Sequence, residues 1–105
     1  MSKDDKIQKL LSVLDMTVYD QNQWLIKNNI RQHSLSDLKK MKSLADLAFR
    51  MRDEAVGNYG SDIWFDAVNV VCNHYPEMKW SLPTWDIESQ PIHWIIAALI
   101  AKELK

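Results

Sequence analysis

Glycine is nearly missing from this chain. Only Gly57 and Gly60 occur in 105 residues, and both fall in one place. So few turn residues between long periodic segments argue for helices and against a turn-rich β-fold. Cysteine is rarer still, with Cys72 alone. No disulfide can close within the chain, which excludes a small secreted scaffold held by bridges. Long apolar runs are absent as well. The longest nearly apolar stretch, residues 92–101, is about half of the ~20 residues a spanning helix needs. The start, Met1-Ser2-Lys3-Asp4-Asp5-Lys6, is acidic and leads into no apolar leader core. A cytoplasmic protein with no membrane association is the expectation.

Excess charge of one sign is lacking too. The formal net charge is −1, so nothing pushes toward nucleic acid or an anionic membrane. Residues 1–56 carry ten Lys/Arg and eight Asp/Glu, and residues 57–105 carry three and six. That lean is too slight to name a partner. No Gly-rich phosphate loop, His-Glu-x-x-His, paired Cys-x-x-Cys or Gly-x-Ser-x-Gly appears. No catalytic residue, metal ligand or cofactor is therefore assigned, and the chain is read as non-enzymatic.

What is present is hydrophobic periodicity. Apolar residues make up 47 % of the chain and charged residues 26 %, the composition of one globular domain over residues 1–105. Ile7, Leu10, Leu11 and Leu14 fall at i, i+3, i+4 and i+7, which predicts a helix from Lys3 to Leu14 with Ser2 as its N-cap. Thr17-Val18-Tyr19-Asp20 resembles a capping box and opens a second helix that fades at Asn28-Asn29. Ser34-Leu35-Ser36-Asp37 opens the longest pattern, residues 35–56. Leu38, Met41, Ala45, Ala48 and Ala55 trace its inner face, with a break possible near Lys42 because Ser43-Leu44-Ala45-Asp46 could cap a new start. Gly57 is expected at the position that ends this helix, and Ser61 is expected to cap the next. Trp64, Ala67, Val68, Val71 and Tyr75 form that next helix's inward stripe, which stops before Pro76. Gln90-Pro91 opens a last helix that is apolar nearly all round through Leu104.

The fold expectation is mainly α, a compact bundle of four to five helices. Residues 78–88 leave an alternative open. Met78, Trp80 and Leu82 alternate with polar residues before Pro83, the period of a minor two-stranded hairpin, although a loop pinned by two tryptophans fits equally. The expected core includes Leu11, Leu14, Trp24, Leu38, Ala48, Trp64, Val68, Val71, Ile95, Ile96 and Leu99.

Three constellations carry chemistry. Cys72 and His74 are two apart, a spacing that does not bring helical side chains face to face. A buried cysteine acting as a small hydrophobe accounts for the first. Asp62 and Asp66 share a face, and a first-turn aspartate already suits the helix dipole. Lys39, Lys40, Lys42, Arg50 and Arg52 could form a phosphate-contacting face, the footprint of a nucleic-acid-binding protein. Asp37, Asp46, Asp53 and Glu54 interleave with them, as on an ordinary solvated helix.

The five tryptophans are the richest signal. Trp80 and Trp85 flank Pro83 and stand near Tyr75 and Ile87. Trp and Tyr supply rigid contact area at low entropic cost. The expected function is thus a protein-binding module, a small adaptor, inhibitor or immunity-type protein that contacts its partner through Tyr75, Trp80, Trp85 and Ile87. The surplus apolar surface of the last helix also suggests a homodimer through residues 92–104. Ser61 to Ala67 and Gln90 to Ala98 resemble the end of small phage-encoded ABA-sandwich proteins over less than half of the chain, a likeness that implies a bacterial or phage origin.

Overall fold

A computed structural model describes residues 2–31, 44–78, 85 and 89–105. Five α-helices form among the described residues: α1 (Lys3–Val13), α2 (Val18–Lys27), α3 (Leu44–Tyr59), α4 (Ser61–Asn73) and α5 (Pro91–Leu104). A 3-10 turn, Pro76–Met78, follows α4. The described residues contain no strand. Of the stretch that alternates in sequence, Met78 ends the 3-10 turn and Trp85 sits in a helical turn. The Trp85 carbonyl accepts the Ser89 amide at 3.0 Å. The rest of that stretch, residues 79–84 and 86–88, lies outside the described residues, as do Leu38 and the segment 32–43.

The helix starts follow local chemistry. Ser2 Oγ accepts the Asp5 amide at 3.2 Å, and Thr17 Oγ1 accepts the Asp20 amide at 3.1 Å. Each satisfies a donor that the first helical turn leaves without a partner. α2 ends in a Schellman arrangement. Asn29 takes φ 59°, Ile30 N donates to Leu25 O at 2.9 Å, and Asn29 N donates to Ile26 O at 3.0 Å. Ile30 then packs on the core near the fully buried Leu25.

The turn between α3 and α4 departs from the expectation. α3 runs through Gly57 to Tyr59, and Gly60 makes the turn with φ 91°. An L side chain resists that backbone, so glycine is needed there and not at position 57. Gly60 also occupies the N-cap of α4, which has no side-chain cap; Ser61 is its first helical residue. The extra turn carries Tyr59 onto the core, with the Lys105 ammonium 5.0 Å from its ring.

α5 is the centre of the molecule. It packs on α3 most extensively, then on α4 and α1. Nine of its fourteen residues are buried, and Ile95, Ile96 and Ile100 are wholly so. Burying each such side chain is worth about 1.5–3 kcal/mol. Most of the apolar surface of this helix is thus buried inside the fold, with Leu99 and Leu104 only partly covered. Of the expected core, Leu11, Leu14, Ala48, Trp64, Val68, Val71, Ile95 and Ile96 are buried. Trp24 and Leu99 are only partly covered at its edge. No helix among the described residues is long and apolar enough to cross a membrane.

Candidate functional site

The start of α5 gathers a chain of rings. Trp94 lies between Trp64, 6.2 Å away and tilted, and Trp85, 6.0 Å away and stacked. Its indole Nε1 donates to Ser89 Oγ at 2.5 Å, and Ser89 Oγ donates to the Trp85 carbonyl. Position 89 thus ties the Trp85 turn to the helix that follows. On the far side, Phe49 of α3 meets Trp94 edge-on at 5.3 Å and 90°. Such pairs add about 0.5–1.5 kcal/mol beyond their buried area.

Phe49 and Arg52 are three apart on α3 and share a face. The Arg52 guanidinium stands 5.3 Å from the Phe49 ring and 5.1 Å from the Trp94 ring. It also holds Asp53 Oδ1 at 2.9 Å. Ala45 and Ala48 are small, so α3 leaves space where a larger residue would fill in. The result is an open groove of about 110 Å³ lined by Ala45, Ala48, Phe49, Ser89, Pro91 and Trp94. Phe49 is 46 % exposed at its rim. A second groove, about 150 Å³, lies farther along the α3–α5 seam beside Glu54, Tyr59 and Lys102.

The ring chain continues inward to a polar path. Trp85 meets His93 at 6.4 Å, and His93 meets Tyr75 edge-on at 5.4 Å. His93 Nδ1 accepts the Gln90 amide at 2.7 Å, completing the N-terminal cap of α5. That bond fixes the tautomer: Nε2 carries the hydrogen and donates to the Tyr75 hydroxyl at 3.2 Å. Burial drives the His93 imidazole down to about 4, with nearby His74 adding to the effect. Burial, then the Asp15 charge, pushes the Tyr75 phenol up. His74 itself pairs with Asp15 at 3.1 Å.

The residues singled out in sequence are placed unevenly. Trp85 is 4 % exposed, so its ring plugs the core and does not face solvent. Its helical turn and the stacking on Trp94 hold it inward. Tyr75 is half-buried with its hydroxyl on His93. Trp80, Ile87, Lys39, Lys40 and Lys42 lie outside the described residues. Arg50 is exposed, while Arg52 is half-buried over the two rings. Cys72 is buried and its thiol is pushed up by that burial, the reverse of an activated nucleophile. Asp62 and Asp66 are exposed, and no three potential metal ligands cluster among the described residues. Phe49 and Trp94 are the site residues that sequence reasoning passed over. The available signal was a large aromatic directly after Ala48, off the α3 inner stripe and three residues before an arginine. Compared with known protein families, characterised proteins and solved structures, the chain matches none.

Proposed function

We propose that this chain is a non-enzymatic protein-binding module of adaptor, inhibitor or immunity type, and that the Phe49–Arg52–Trp94 groove is its contact surface. The observation that carries the reading is Phe49: nearly half exposed, yet held edge-on against Trp94 and beside Arg52. A large aromatic already fixed in place loses little freedom on binding. Aromatic residues and arginine around an apolar centre are also what interface hot spots are made of. The groove is of a size for one apolar side chain of a protein partner, with Arg52 at hand for an acceptor beside it.

The test is competition between alanine variants. Phe49→Ala removes the exposed ring and leaves the buried Trp94 in place. It is expected to weaken capture of the protein partner at least tenfold, on the scale of a hot spot. Val18→Ala and Tyr19→Ala, exposed on α2, are expected to leave capture unchanged. Nuclease treatment and moderate salt should have little effect. Equal capture by Phe49→Ala and wild type would overturn the groove assignment. Recovery of nucleic acid alone, with affinity falling steeply in salt, would overturn the protein-binding reading.

A further inference from the structure

We propose that the exposed shoulder of α3 is a self-pairing surface, on which a second copy of this chain lies antiparallel about a two-fold axis between Arg52 and Asp53. Ala45, Phe49, Arg52 and Val56 are spaced four, three and four apart, so they fall in one line along the helix. Phe49 is 46 % exposed and Val56 36 %, which leaves apolar area on both sides of the charged centre. In a two-fold interface the same patch meets itself, so that where one residue touches a second, the second touches the first in return. With the axis between positions 52 and 53, Arg52 of each copy stands opposite Asp53 of the other. Phe49 stands opposite Val56, and Ala45 opposite Gly60. A cation thus meets an anion twice, and a large ring meets a smaller side chain twice. The ends are closed by small residues, and nothing lies within 4 Å of where a Cβ on Gly60 would stand.

The charges at the centre are already placed for this. Arg52 Nε and Nη2 both donate to Oδ1 of Asp53 in the same chain, at 3.1 and 2.9 Å. Nη1 and Oδ2 lie outside that pair. The guanidinium is held 5.3 Å from the Phe49 ring and 5.1 Å from the Trp94 ring, so it is positioned before a second copy arrives. The Asp53 side chain is 69 % exposed and open to approach. In the pair, two arginines and two aspartates close a ring of four charges. A parallel pair would instead set Arg52 against Arg52 and Asp53 against Asp53, and like charges facing across an interface are strongly disfavoured. The charge pattern therefore selects the antiparallel arrangement.

One 16-residue helix laid on another makes a small interface, so the dimer is a weak one. It stands without the reading of the groove as a contact for another protein. Both uses need Phe49, so pairing with a copy and capture of a different partner exclude each other.

Sedimentation of the purified full chain, at concentrations up to about 1 mM, tests this. Wild type is expected to pass from monomer to dimer within that range. Arg52→Glu turns a carboxylate toward the partner's Asp53, and Asp53→Arg turns a guanidinium toward the partner's Arg52. Each alone is expected to weaken pairing at least tenfold. Mixed in equal amounts, the two variants face each other with opposite charges at both contacts, and pairing is expected to return as a heterodimer. Should Arg52→Glu not fold, Asp53→Arg and Val56→Lys, both at exposed sites, carry the test, and both are expected to weaken pairing at least tenfold. A wild type that stays monomeric throughout would overturn the proposal. So would a dimer indifferent to these changes, as one formed through α5 would be, or a mixture that pairs no better than either variant alone.

Discussion

Single residues decide where this backbone turns and where its rings point. The two glycines make the case, because they are chemically identical and sit three apart. Gly57 lies inside α3, and a Cβ there would meet nothing within 4 Å. Gly57→Ala is expected to stabilise the fold by about 0.5–1 kcal/mol, since alanine is the better helix former. Gly60 has φ 91°, so Gly60→Ala is expected to cost about 1–3 kcal/mol despite equally open space around it. Thermal melts of the two variants check the opposite signs. Sequence alone could not choose between these glycines: either one can end a helix, and the choice is made by Tyr59 reaching the core. Trp85 was illegible for a similar reason. A tryptophan near a proline reads the same whether it faces solvent or is stacked, as here, on Trp94.

At the scale of elements, the parts that were legible are those governed by local chemistry. The caps at Ser2 and Thr17 and the stop at Asn29 need only nearby backbone groups, so residue type and spacing reveal them. The stripes of α1 and α4 were legible because one face of each meets the core. α5 was harder. A helix apolar all round fits either a central position or a subunit contact, and only the packing of α3, α4 and α1 around it shows the central position. That packing makes a graded prediction. Ile96→Ala, at a wholly buried site, is expected to cost about 2–5 kcal/mol. Val18→Ala, exposed on the first turn of α2, should change stability by less than about 0.5 kcal/mol. Denaturant midpoints at constant slope measure both.

For the whole molecule, the groove arises because α3 presents small residues and α5 presents a large one at the same level. Ala45 and Ala48 give the room, Trp94 the floor, and Phe49 and Arg52 the rim. None of these is unusual on its own helix, which is why the site was not visible in the sequence. It exists only once two helices whose groove residues stand more than forty positions apart in sequence are laid side by side. The reading of this surface as a protein contact makes it a place where a partner must come within reach of residue 49. A photo-crosslinking amino acid at position 49, with one at position 18 as control, tests that most directly in cells or lysate. A discrete protein adduct formed from position 49 and not from position 18 is the predicted result. Adducts formed equally from both positions, or from neither while the chain still captures its partner, would contradict it.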